Sequence, residues 1–202
     1  MAKSNRVRLW TIQTKETWAR AEKSGVLECN ELHIDADKEV DNWFRPAYEW
    51  MAGQLELRVK NYPCKKYPIW VWYHPKPDLR HSGHLPRGTS GVRVEFIVSS
   101  DRVLLSDFEA WHAVLNCWYL SLSEKESEYW DNRCESAGIK IGWENWPPPS
   151  PFKEELTRSW KHIFDMELLK KHSEWMSGGA VQACVEKIYT NEVVNITYFK
   201  AR

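Results

Sequence analysis

Arg93 and Glu95 stand two residues apart in the run Val92 to Val98 (VRVEFIV). The run alternates. Val92, Val94, Phe96 and Val98 fall on one side, and Arg93, Glu95 and Ile97 on the other, which is the period of a half-buried strand. A cation and a carboxylate therefore project from one face of a strand whose other face is apolar. A second chemistry-bearing stretch spans residues 60–91. It holds Lys60, Lys65, Lys66, Lys76, Arg80 and Arg87, with His74, His81 and His84, and Asp78 is its lone acid. Inside it lies YPIWVWYH (67–74), an aromatic strand candidate. Cationic side chains beside stacking rings suit phosphates and bases, as a nucleotide, a dinucleotide or a single strand. A solvated loop with a strand through it is the competing reading. His81-x-x-His84 has no companion ligands in the sequence, so no metal site is expected.

Two further sets of polar residues lie near the chain's ends. Thr11 and Gln13 close an alternating run, RVRLWTIQ (6–13), in which Val7, Leu9 and Thr11 oppose Arg8, Trp10 and Ile12. In AVQACVEKIY (180–189), Gln182, Cys184 and Glu186 share one face of a strand and Ala183, Val185 and Lys187 the other. On a regular strand Glu186 lies roughly 7 Å beyond Cys184.

The elements that must position these groups can be read around 91–116. After the first alternation, Ser99-Ser100-Asp101 breaks the strand and Val103-Leu104-Leu105 follows as a short apolar run. Ser106-Asp107 then caps a helix, Phe108 to Leu115. At the start of the chain, Thr14 caps KETWARAEKSG with Trp18 and Ala21 inward, and Gly25 is placed to end it. Residues 41–60 read as helix after Pro46, with Tyr48, Met51 and Leu55 at helical spacing. Ser121 to Arg133 is acidic and polar, read as an exposed helix end or loop. Cys134 to Phe152, with three consecutive prolines, reads as an irregular connection. Such long loops are usually functional or disordered. Lys153 to Met166 reads as helix, and Val193 to Tyr198 as a last strand. The expected fold is α+β, a mixed or antiparallel split sheet flanked by helices.

The chain has 202 residues, which sets an expectation of one domain over 1–202 carrying the basic Pro-rich segment 60–91 and the Pro/Trp loop 134–152. Its 13 tryptophans require a real core. With 28 basic and 28 acidic residues the formal charge is zero. A global electrostatic case for nucleic acid is thereby excluded, and only a local patch remains. The five cysteines, at 29, 64, 117, 134 and 184, form no C-x-x-C pair, which points to a reducing, cytoplasmic compartment. MAKSNRVRLW lacks the apolar core of a signal peptide. No run approaches the roughly 20 apolar residues of a membrane span.

Two resemblances are carried by particular residues. RLWTIQ (8–13), YPIWVWY (67–73), KPDLR (76–80), GHLPRGT (83–89), GVRVEF (91–96), LLSDFEAWH (104–112) and VQA (181–183) resemble a bacterial family, the domain of unknown function 3841. That resemblance carries no activity with it. More distantly, the order of elements is similar to the DarT-type ADP-ribosyltransferases, toxins that modify single-stranded DNA with NAD as donor. LWTIQ and SGVL (24–27) stand where that family has a His-x-Thr-like strand and a Gly-Leu pair. YPIWVWYHPKPDL stands at its aromatic strand and arginine segment, with Lys76 where the arginine is expected. VQAC stands at its Gln-Ala-Glu strand, with Cys184 at the place of the catalytic glutamate.

This second resemblance implies an ADP-ribosyltransferase-like architecture. It also implies transfer of ADP-ribose from NAD to nucleic acid or protein, in a toxin or defence setting. It assigns catalysis to Gln182 and to a displaced carboxylate, Glu186 or Glu95, and cofactor binding to Trp10, Thr11, Gln13, Lys76 and Arg80. A carboxylate is needed to stabilise the oxocarbenium-like ribose or take the acceptor's proton, and a protonated thiol does neither. Lysine in place of arginine gives a phosphate a point charge rather than a fork. Two other readings stand beside this one. One is a catalytically degenerate module that binds a nucleotide or single-stranded nucleic acid through residues 60–90. The other is a Trp-rich protein-interaction protein.

Overall fold

The alternation at 92–98 becomes β4 (Ser90–Ser99), the second strand from one edge of the main sheet. The computed structural model describes residues 5–29, 38–64, 66–74, 85–172, 175 and 180–202. In chain order the remaining elements begin with β1 (Arg6–Thr14), α1 (Lys15–Ser24), β2 (Val26–Glu28), α2 (Lys38–Arg58) and β3 (Ile69–His74). After β4 come β5 (Leu104–Asp107), α3 (Phe108–Leu115), α4 (Glu124–Ser136), α5 (Phe152–Ser159) and α6 (Met166–Lys171). The chain then returns to strands: β6 (Val181–Val185), β7 (Lys187–Tyr189) and β8 (Val193–Lys200). The fold is α+β. A six-stranded sheet has the order β5-β6-β3-β1-β4-β8, and β2 pairs with β7 in a separate two-stranded sheet. Every pairing with a described register is antiparallel.

Two compact units divide the chain, one built of 1–30, 52–105 and 181–202, the other of 31–51 and 106–180. The first unit holds most of the sheet. Leu9, Val71, Val92, Val94, Phe96, Val98, Ala183 and Val185 form its core with Trp18 and Ala21 of α1 and with Leu27 and Ile188 of the small sheet. Burying each such side chain contributes about 1.5–3 kcal/mol before conformational entropy is subtracted. α1 forms where the sequence signals it. The Thr14 hydroxyl accepts from the Thr17 N–H, and Gly25 closes the helix at φ 82°, its N–H on the Ala21 carbonyl. Gly91 on β4 is closely packed: a Cβ there would lie 2.5 Å from Phe199 Cζ and 2.8 Å from Leu85 Cδ1, so those side chains would have to shift.

The second unit is held by rings. Trp160 is fully buried and stacks on Trp146 at 5.3 Å, with Trp50 edge-on at 5.4 Å. Trp50 also stacks on Phe164 at 5.7 Å. Tyr119 stacks on Trp130 at 4.3 Å. The Arg133 guanidinium lies near Trp130 and Phe152 while making two bonds to the Glu155 carboxylate, 2.6 and 3.0 Å.

Four expectations are corrected. Pro46 lies inside α2, which begins at Lys38. Proline costs a helix about 3 kcal/mol, and burial of Ala47 and Met51 with the Trp50 ring contacts offsets it. The polar stretch 121–133 is largely a true helix, α4. Ser123 caps it by accepting from the Glu126 N–H, and the Glu126 carboxylate accepts from the Leu122 N–H and the Tyr119 hydroxyl. Its buried face consists of only Trp130 and Cys134, which the charged composition conceals. The helix expected over 153–166 is α5 followed by a tighter 3-10 stretch, Trp160–Phe164, whose winding buries both Trp160 and Ile163. The strand expected over 180–189 breaks at Glu186, and the chain passes there from one sheet to the other.

Candidate functional site

β1, β3, β4 and β6 are neighbours, and their registers define one row across the sheet. Trp10 on β1 pairs with Trp72 on β3 and with Glu95 on β4. Trp72 pairs in turn with Gln182 on β6, and Glu95 with Asn195 on β8. Residues directly opposite in a sheet share a face. Gln182, Trp72, Trp10, Glu95 and Asn195 therefore line one face, the one opposite the Leu9–Phe96 core. At about 4.8 Å per strand, Gln182 and Glu95 are about 14 Å apart at the backbone. Cys184 lies on the same face, paired with Trp70, and Arg93 lies beside Thr197.

The polar members of this row are deeply buried: Trp10 is 7%, Glu95 6% and Gln182 5% exposed. A carboxylate so far from water needs a partner, and Arg8, two residues before Trp10, donates to Glu95 Oε1. Trp10 Nε1 and Gln182 Nε2 have no hydrogen-bond partner among the described residues. Each buried amide or indole N–H left unsatisfied costs about 1–3 kcal/mol. Two such donors stand in one row, on either side of the Trp72 strand.

Several expected site residues lie elsewhere. Thr11 and Gln13 sit on the core side of β1. The Thr11 hydroxyl donates to the Trp70 carbonyl at 3.3 Å and accepts from Gln13 Nε2 at 3.1 Å, so both are occupied within the fold. Glu186 does not continue the Gln182–Cys184 face, because β6 ends at Val185. Its carboxylate accepts from Lys187 Nζ at 3.0 Å, with Lys66 Nζ at 4.0 Å. Lys66 also bonds Glu28 at 2.6 Å, which holds that carboxyl below its usual range. The Glu186 bond in turn raises Lys187 above the usual lysine range. Cys184 is wholly enclosed, and burial pushes its thiol well above the ordinary range. It stays protonated at neutral pH and supplies no charge.

Lys65, Lys76, Arg80, His81 and His84 lie outside the described residues. Of the other basic residues of 60–91, Lys60 and Arg87 are exposed and Lys66 is engaged as above. Among the described residues no group of three or more His, Cys, Asp or Glu is placed to hold a metal. No helix among them is long and apolar enough to cross a membrane. Sequence reasoning missed Arg8 and Trp72 as members of the site. Arg8 shares Trp10's parity on β1, and Trp72 lies within the aromatic strand, so both carried a signal that only pairing makes specific.

The family described as a domain of unknown function (DUF3841) matches residues 8–194, and the chain belongs to it. No curated protein and no solved structure matches the chain.

Proposed function

We propose that this protein binds an NAD-type dinucleotide on the Gln182–Trp72–Trp10–Glu95 row. We further propose that it transfers ADP-ribose to a nucleic acid or protein acceptor, as an ADP-ribosyltransferase-like protein of the toxin or defence kind. The observation that carries the reading is the pair of buried, unpartnered donors, Trp10 Nε1 and Gln182 Nε2, in one row with a buried carboxylate. When bound, NAD supplies a ribose carbon whose bond to nicotinamide breaks with the electron pair leaving on nicotinamide, as an acceptor oxygen or nitrogen bonds to that carbon. In this reading Trp10 and Gln182 orient the ligand through their N–H groups. Glu95 takes the acceptor's proton or balances positive charge on the ribose. Arg8 is a positioning residue that fixes the carboxylate. Glu186 lies off this row, because β6 ends at Val185.

A second reading, nucleotide binding without turnover, is favoured by one observation. The position where the resemblance expects a glutamate holds Cys184, a buried protonated thiol. Calorimetry with NAD and a nicotinamide-release assay on the same samples separate the two. Transfer predicts binding in the micromolar to millimolar range and release that Glu95→Gln abolishes while binding persists. Binding without release supports the second reading. Absence of binding at any accessible concentration sinks both.

A further inference from the structure

The second unit contains a groove of about 780 Å³. It is lined by Trp118, Tyr119 and Trp130, by Asp131 and Glu135, and by Lys140 among others. Its size falls within the roughly 300–1,000 Å³ of ligand pockets and leaves room for more than one side chain. Trp118 is 55% exposed, yet its backbone is fixed on both sides. Cys117 before it takes a left-handed φ of 54°, and α3 ends there with the Trp118 N–H on the Ala113 carbonyl at 2.8 Å. The Trp118 carbonyl accepts from the buried Trp160 Nε1 at 2.7 Å. The backbone that carries this exposed ring is therefore fixed in place, so a ligand that stacks on the ring need not order the main chain beneath it.

The charge around this ring has a sign. Asp131 and Glu135 lie four residues apart on α4, hence on neighbouring turns of one face, and both are exposed. Arg133 on the same helix is committed to Glu155 and does not neutralise them. Lys140 is the one cation among the groove's lining residues. Two carboxylates and aromatic faces against one ammonium select a cation with a flat, stackable head. We propose that this groove docks an arginine side chain of a partner protein, its guanidinium stacked on Trp118 and its fork directed at Asp131 and Glu135.

The test uses the full chain and a blocked tripeptide, acetyl-Gly-Arg-Gly-amide, titrated while the indole N–H resonances are followed by NMR. The Trp118 signal is identified by its loss in Trp118→Phe. The expected result is a saturable shift of that signal. Affinity, read in wild type and variant alike from the Trp130 indole signal in the same groove, should fall about three- to tenfold in Trp118→Ala, as loss of one cation–π contact predicts. It should fall further in the double variant Asp131→Asn/Glu135→Gln. These side chains are exposed, and circular dichroism checks that the variants fold. The citrulline peptide, flat but neutral, should not bind. The proposal is overturned if the arginine peptide leaves Trp118 unmoved, if the citrulline peptide binds equally, or if free agmatine binds as tightly as the peptide, since the groove would then take a small amine.

Discussion

Replacing Gln182 with leucine should stabilise the ligand-free protein and weaken nucleotide binding at once. Gln182 is 5% exposed and its Nε2 has no partner, so the native state carries the desolvation cost of an amide donor without a compensating bond. Leucine has nearly the same volume and no donor. Removing an unsatisfied buried donor should return about 1–3 kcal/mol. In a chain of this size each kcal/mol moves the midpoint by roughly 2–4 °C, so a rise of several degrees is expected. Urea unfolding should show a higher midpoint at unchanged slope. If that amide donates to the ligand, the dissociation constant for NAD should rise about fivefold to a hundredfold, because the ligand's acceptor is then buried unpaired. The reasoning is refuted if Gln182→Leu destabilises the protein. An already satisfied amide would explain that result, and the row would then hold no vacancy for a ligand.

Gly91→Ala should destabilise by about 1–3 kcal/mol by chemical denaturation, because its Cβ meets Phe199 Cζ at 2.5 Å, and Phe199→Leu in the same chain should recover part of the loss. Phe96→Ala, at the centre of the first unit's core, should cost about 3–5 kcal/mol by the same assay. Arg133 holds the Glu155 carboxyl below its usual range, so its contribution is present above the unfolded value near about 4.3 and lost as pH falls through the lower folded value. Acid titration should therefore show stability falling below about pH 4, and Glu155→Gln should flatten that fall. Native thiol titration should label the exposed Cys64 first, while Cys117, Cys134 and Cys184 should react only on unfolding. Burial pushes the Cys117 thiol up to about 11.

Much of the architecture was legible in the residues themselves. Period-two runs marked β1, β4 and β8, the aromatic run marked β3, and Thr14, Gly25 and Asp107 marked helix ends by chemistry that acts within four residues. The site was legible only in part. The sequence paired Arg93 with Glu95 and set Trp10 opposite Thr11, but it offered Thr11 and Gln13 to a ligand, and tertiary packing turned them to the core. It carried the Gln182 face through Glu186, and the passage between sheets ended that face at Val185. Alternation is a backbone property that any strand declares for itself. Which residues share a row depends on register between strands as distant in sequence as β1 and β6, joined through β3. Register follows from how all the apolar faces close at once. Local chemistry thus determined the elements, and only the assembled sheet decided that Trp10, Glu95 and Gln182 lie together.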